Sequence, residues 1–195
     1  MITELNLWST PVTVIDQFVS DSALMDALRS ESVIADTVQG QNTHNLTSAQ
    51  KQLLHMVSAM VVDYCEKNKI DYNNLKLCNL QKGYLYRYDQ QSVSKHLYEP
   101  HHDMVEQSFI TALFYVNSDY DDINWCGGEL TLYKELTFAD YPNNAINILP
   151  KPNRLIIFPG FTVHRVKPYF GKNPRTSLVF GWSVIDGPDM PSMII

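Results

Sequence analysis

The stretch YEPHHDMVE, from Tyr98 to Glu106, sets two adjacent histidines beside an aspartate in a chain that has only six histidines. Imidazole and carboxylate are both metal ligands, so this is either part of a metal site or an ordinary polar turn. Side chains alternate faces along a strand. If PHHDM is extended, His101 and Asp103 point one way and His102 the other. The pair then presents one nitrogen and one oxygen to a single point. His-x-Asp often arises by chance, so a third ligand must come from elsewhere in the chain.

The stretch FTVHRVKPYFGKNPRTSLVFGWS supplies one. His164 stands at or just before the start of a strand that follows RLIIFPG. Two histidines and one carboxylate make up the facial triad that holds non-haem Fe(II) and leaves other positions open. A slip that put His102 in place of His101 would send Asp103 to the opposite face. Farther along, Arg175, Ser177, Val179 and Gly181 share one face of RTSLVFGWS, and Thr176, Leu178, Phe180 and Trp182 share the apolar other. An Arg that faces a barrel interior needs an anion, either an Asp or Glu of the chain or a ligand carboxylate. Its planar fork matches a carboxylate, and the Ser177 hydroxyl can add a hydrogen bond.

Taken in order, YEPHHD, FYVN, GGEL, FPGFTVHRVKP and RTSLVFGWS resemble the 2-oxoglutarate- and Fe(II)-dependent dioxygenases, and most of all their prolyl 4-hydroxylase-like branch. The resemblance runs from Leu80 to Val184. It implies a double-stranded β-helix with Fe(II) at the barrel mouth, bound by His101, Asp103 and His164. It implies that Arg175 pairs with the distal carboxylate of 2-oxoglutarate, with Ser177 and Tyr115 beside it. Tyr88 matches a tyrosine that reaches the co-substrate from an earlier strand, and Tyr98 an aromatic near the iron and the substrate. In a chain with eleven tyrosines, each of these three is also readable as a core residue.

The implied chemistry hydroxylates a C–H bond while 2-oxoglutarate and O2 give succinate and CO2, with ascorbate keeping the iron ferrous. The implied substrate is a peptidyl proline, or else a free amino acid or other small molecule. The chain departs from the family in two places. The usual glycine after the first tyrosine is absent and DQQSVSKHL is long, which unsettles the register of Tyr88 and suggests a loop over the site. Many collagen-type enzymes also have Lys where Arg175 stands. No second arginine follows Arg175 in TSLVFGWSV, unlike the nucleic-acid demethylases of the superfamily. The competing reading is a non-oxygenase, cupin-like jelly roll, either a metal-dependent isomerase or a ligand-binding module. Cupin sites draw on more histidines than this chain has to spare.

These residues need a scaffold. SDSALMDALRSE reads as a helix capped by Ser20 or Asp21. LTSAQKQLLHMVSAMVVDYCEKN reads as a second, with Thr47 and Gln50 at capping-box spacing and Leu53, Leu54, Val57, Met60, Val61 and Tyr64 at helical spacing. His55 lies in this helix and reads as a surface residue. From Leu75 the texture changes to short β-branched and aromatic runs broken by Gly, Pro, Asn and Asp. The expectation is an α+β chain, a jelly-roll core buttressed by N-terminal helices, in a single domain. Residues 1–74 form the helical support with an early strand, and residues 75–195 form the core. Gly127 and Gly128 read as structural, allowing a close backbone approach.

The 195 residues suit one domain, and the net charge of −6 comes without any basic run, which argues against a nucleic-acid partner. No signal-peptide pattern and no bilayer-length apolar stretch is present, so a cytoplasmic protein with no membrane partner is expected. The three cysteines, Cys65, Cys78 and Cys126, form no CxxC pair and read as reduced thiols. The N-terminal helices are candidates for a homodimer contact. The sequence leaves oligomeric state open.

Overall fold

The computed structural model describes residues 2–7, 10–34, 41–42, 46–73, 75–77, 84–88, 99–103, 109–120, 127–134 and 145–184. The chain opens with a hairpin of β1 (Ile2–Leu7) and β2 (Thr10–Asp16). Helix α1 (Ser22–Ile34) follows, then a short β3 (Gln41–Asn42) and helix α2 (Ser48–Lys67). The remaining strands are β4 (Leu75–Leu77), β5 (Tyr84–Tyr88), β6 (Ile110–Asn117), β7 (Leu130–Tyr133), β8 (Ala145–Ile148), β9 (Arg154–Pro159), β10 (His164–Val166) and β11 (Arg175–Val184).

The helix starts follow from local chemistry. Asp21 Oδ1 accepts from the backbone N–H groups of Ala23 and Leu24, so Asp21 is the cap of α1. Thr47 and Gln50 form a reciprocal capping box at the start of α2. Thr47 also donates to Glu31 at 2.6 Å, which ties the start of α2 to α1. His55 is exposed, as expected for a surface position.

All strand pairs are antiparallel. The larger sheet runs β1-β2-β9-β6-β11-β5-β3, with β4 added on β11, and the smaller runs β10-β7-β8. The sequence reading expects one early strand. Among the described residues of this part the structure has three, β1, β2 and the two-residue β3, and β2 joins the large sheet beside β9. The half-polar ITELNL pattern of β1 suits an edge strand that needs burial on only one side. The four-residue β8 was likewise not expected.

Period-2 alternation sorts the core into two layers. Ile110, Ala112, Phe114 and Val116 of β6, Leu155 and Ile157 of β9, and Leu178, Phe180 and Trp182 of β11 pack with the apolar stripes of α1 and α2. Leu113 and Tyr115, Ile156 and Phe158 point the other way and meet Leu130, Leu132, Ile148 and Val166 of the small sheet. The antiparallel, two-sheet arrangement with two helices is consistent with a jelly roll. Cys65 is fully buried in the helix layer, and burial pushes its thiol up to about 11, so it stays protonated. Cys78 and Cys126 lie outside the described residues. Among the described residues no helix is long and apolar enough to cross a membrane.

One ion pair pins β2 to β9. Arg154 donates from Nε and Nη2 to the two carboxylate oxygens of Asp16, at 2.6 and 2.9 Å, and from Nη1 to the Leu149 carbonyl. This hydrogen bonding to Arg154 holds the Asp16 carboxyl below its ordinary value, and burial opposes it. A depressed carboxylate contributes stability above its unfolded pKa, about 4, and loses that contribution as pH falls through the folded value. Asp16→Asn should therefore lower stability by about 1 kcal/mol at neutral pH. Urea melts of the two proteins should converge as pH drops below about 4.

Candidate functional site

His101 and His164 are far apart in sequence and adjacent in space. Each accepts the other's backbone N–H, at 2.9 and 2.7 Å, forming an isolated antiparallel bridge. Directly opposed residues of such a bridge put their side chains on one side, and the two imidazole centroids are 4.4 Å apart. His101 is thus held by this bridge rather than by the longer strand that the sequence suggests. Asp103 follows two residues on, and its N–H donates to the Gly160 carbonyl at 2.8 Å. One donor atom from each of His101, Asp103 and His164 lies within 4.8 Å of the others, and His164 Nε2 is 3.6 Å from Asp103 Oδ1. Such separations suit a single ion roughly 2 Å from each donor.

Hydrogen bonds aim these donors. His101 Nδ1 is 3.0 Å from the Glu99 carbonyl, and His164 Nδ1 is 2.9 Å from the Thr162 carbonyl. A carbonyl only accepts, so each Nδ1 carries a proton, and in the neutral ring the Nε2 lone pair is the one left to face a metal. Burial holds His164 below its ordinary pKa, against the pull of Asp103. The neutral imidazole is the ligand form. Thr111 Oγ1 donates to Asp103 Oδ2 at 2.6 Å, which occupies one carboxylate oxygen and leaves Oδ1 toward His164. His102 is not in the cluster, and its Nδ1 is buried with no hydrogen-bond partner among the described residues.

The triad opens onto a cleft lined by Thr111, Leu113, Leu130, Phe158, Val166, Ser177 and Val179. Ser177 and Val179 share a face of β11, as the alternation of RTSLVFGWS predicts. Arg175 lies one step farther along that face and is fully buried. Its Nη2 donates to Tyr115 Oη at 3.1 Å, and its guanidinium carbon sits 4.7 Å over the Tyr115 ring. The structure therefore joins Tyr115 to Arg175. A bulge in the β11–β6 ladder between Thr176 and Ser177 falls beside them.

Gly127 and Gly128 adopt φ of +74 and +75. A Cβ on Gly127 would meet the Pro168 carbonyl oxygen at 2.2 Å, and one on Gly128 would meet Arg175 Cδ at 3.0 Å. The Gly-Gly pair is thus the space that the arginine stem and the loop after β10 occupy. Tyr88 is the Cα partner of Arg175 across β5 and β11. Tyr98, the loop 89–97, His44 and His96 lie outside the described residues.

A model of the 2OG-Fe(II) oxygenase superfamily matches residues 84–183, just over half of the chain. The chain belongs to this superfamily. It is accordingly a 2-oxoglutarate-dependent dioxygenase that uses Fe(II), 2-oxoglutarate and O2, and this overrides the cupin-like alternative. None of the curated proteins matches its sequence.

Solved structures share the fold. A Pseudomonas putida prolyl 4-hydroxylase has a TM-score of 0.64 at 17% identity, over 89% of this chain and 88% of that one. A prolyl hydroxylase from Trichoplax adhaerens, in complex with a hypoxia-inducible-factor peptide fragment, has a TM-score of 0.61 at 19% identity, covering 89% and 83%. HygX from Streptomyces hygroscopicus with iron bound has a TM-score of 0.64 at 13% identity, covering 91% and 84%. At these identities the likeness is one of fold.

The donor set fits the oxygenase's metal. Two neutral imidazoles and one carboxylate suit Fe(II), and the carboxylate offsets part of its charge. Sequence reasoning did not find Thr111, although alternation along FITALFYVN puts it on the same face as Tyr115. Thr111→Val removes the donor to Asp103 with little change in volume. Fe(II) affinity, read by anaerobic titration, should fall roughly tenfold and recover in Thr111→Ser. Wild-type affinity in Thr111→Val would show that the hydroxyl does not orient the carboxylate.

Proposed function

We propose that this dioxygenase is a prolyl 4-hydroxylase-like hydroxylase, a double-stranded β-helix buttressed by α1 and α2, with iron held by His101, Asp103 and His164. The observation that carries the reading is the convergence of these three donors at the mouth of a cleft that runs along β11 toward Arg175. Iron with 2-oxoglutarate and O2 supplies the oxidising power, so that a substrate C–H bond is hydroxylated and succinate and CO2 are released.

The chain's own residues fix geometry. The Glu99 and Thr162 carbonyls orient the two imidazoles, and Thr111 orients the carboxylate. Arg175, with Ser177 and the Tyr115 hydroxyl, takes the distal carboxylate of 2-oxoglutarate through a charge-assisted fork. Tyr88, whose Cα is the strand partner of Arg175, is proposed to reach this end of the co-substrate. Leu113, Leu130, Phe158, Val166 and Val179 keep water from the cleft, where a dry environment strengthens that ion pair. No side chain of the cleft has to move a proton.

A peptidyl proline is the proposed substrate class, supported by the fold shared with the two prolyl hydroxylases. A free amino acid or other small molecule is the second class. Tyr98 is proposed to stand near the bound substrate, ascorbate to maintain the ferrous state, and the cytoplasm to be the compartment.

Slow turnover of 2-oxoglutarate without prime substrate gives the test. Succinate release should require Fe(II) and vanish in Asp103→Ala. In Arg175→Ala the KM for 2-oxoglutarate should rise by about two orders of magnitude, as expected when a buried carboxylate loses its ionic partner. Full activity in Asp103→Ala would defeat the triad assignment.

A further inference from the structure

The loop between β10 and β11 closes on itself through Tyr169. Its hydroxyl donates to the Asn173 carbonyl at 2.8 Å and accepts the Asp119 N–H at 3.0 Å. The Asp119 carboxylate takes both the backbone N–H and the side-chain Nδ2 of Asn173, each at 2.7 Å. This clamps the loop to the residues just beyond β6. Tyr169 is 2% exposed. Its ring lies over Gly128, where an added Cβ would come within 2.9 Å of Tyr169 Cδ2 and 3.0 Å of Arg175 Cδ. Gly171 is held as close, since a Cβ there would meet Tyr169 Oη at 2.1 Å. Only Pro174 separates Asn173 from Arg175, the first residue of β11.

We propose that Tyr169, latched by Asp119 and Asn173, is a positioning residue for Arg175 and thereby sets the affinity for 2-oxoglutarate. The inference rests on the assignment of Arg175 to the co-substrate carboxylate. The latch fixes the backbone where β11 begins, and the ring closes over the same glycine as the arginine stem. Arg carries much rotamer freedom, and a stem already confined loses less of it when the carboxylate binds. The guanidinium is then held over Tyr115 before the co-substrate arrives, which is preorganisation of a charged fork. Tyr169 itself does not line the cleft.

Tyr169→Phe keeps the ring and removes both hydrogen bonds, and Asp119→Ala breaks the latch from the opposite side. On Fe(II)-loaded protein without oxygen, calorimetry with 2-oxoglutarate should show Kd raised about three- to tenfold in either variant, the scale of one or two net hydrogen bonds. The KM for 2-oxoglutarate should rise in parallel, with kcat and Fe(II) affinity unchanged. In the Arg175→Ala background, Tyr169→Phe should leave kcat/KM for 2-oxoglutarate unaltered, because the effect passes through the arginine. The proposal is overturned if Tyr169→Phe binds 2-oxoglutarate like wild type, or if it lowers kcat/KM equally with and without Arg175. A purely structural role would move the melting temperature and give that equal loss. If Arg175→Ala itself bound 2-oxoglutarate like wild type, the assignment of Arg175 would fail instead.

Discussion

The site depends on one backbone contact. Two hydrogen bonds between His101 and His164 join the segment before β6 to the start of β10. Without that bridge the two imidazoles would belong to separate parts of the chain, and no choice of rotamers would bring them to a point. With it, side-chain direction is set by the geometry of a directly opposed antiparallel pair. A third backbone bond, from the Asp103 N–H to the Gly160 carbonyl just after β9, holds Asp103 at the same place. Backbone bonds thus locate all three side chains, and the Thr111, Glu99 and Thr162 contacts only aim them.

Burial does the rest. β6, β9 and β11 lie at the centre of the large sheet, covered by helices on one face and by the small sheet on the other. The inner-face end of the cleft at Tyr115, Arg175 and Ser177 therefore lies away from water, where charge interactions are strong and unpaired charge is costly. The same burial holds His164 neutral and Cys65 protonated, one ready to bind metal and the other inert. Arg175 is fully enclosed and closely packed, its stem against Gly128 and its guanidinium on the Tyr115 ring. Replacing Gly128 with any larger residue would push on that stem and force an L side chain into positive φ.

Much of this is written locally in the sequence. The Thr47–Gln50 capping box, the helical stripe from Leu53 to Tyr64 and the alternation of β11 each follow from short-range spacing, and the structure carries them as expected. His101, Asp103 and His164 stand out in the sequence as metal-ligand types in a distinctive order, and the structure brings the three together, while Arg175 stands out because a guanidinium is costly to bury. The additional N-terminal strands and β8 were not legible, since their patterns are short or half-polar and β2 pairs with β9 far along the chain. The partners of the site residues were hidden for a related reason. Carbonyls of Glu99 and Thr162 have no sequence signature, and neither Tyr169 nor Asp119 can be tied to Arg175 until the loop after β10 has folded. Gly127 and Gly128 announced a close approach, and only the structure shows that Pro168 and Arg175 make it.

The central claim is that His101, Asp103 and His164 hold one Fe(II) and that Arg175 pairs with the distal carboxylate of the 2-oxoglutarate bound beside it. Its most direct test needs no prime substrate. Metal-free protein is given Fe(II) and 2-oxoglutarate without oxygen, and the weak visible metal-to-ligand charge-transfer band of the chelate is recorded. The account predicts the band in wild type, its loss in His164→Ala, and its weakening at a fixed 2-oxoglutarate concentration in Arg175→Ala. A folded, iron-loaded wild-type protein with no such band would contradict it.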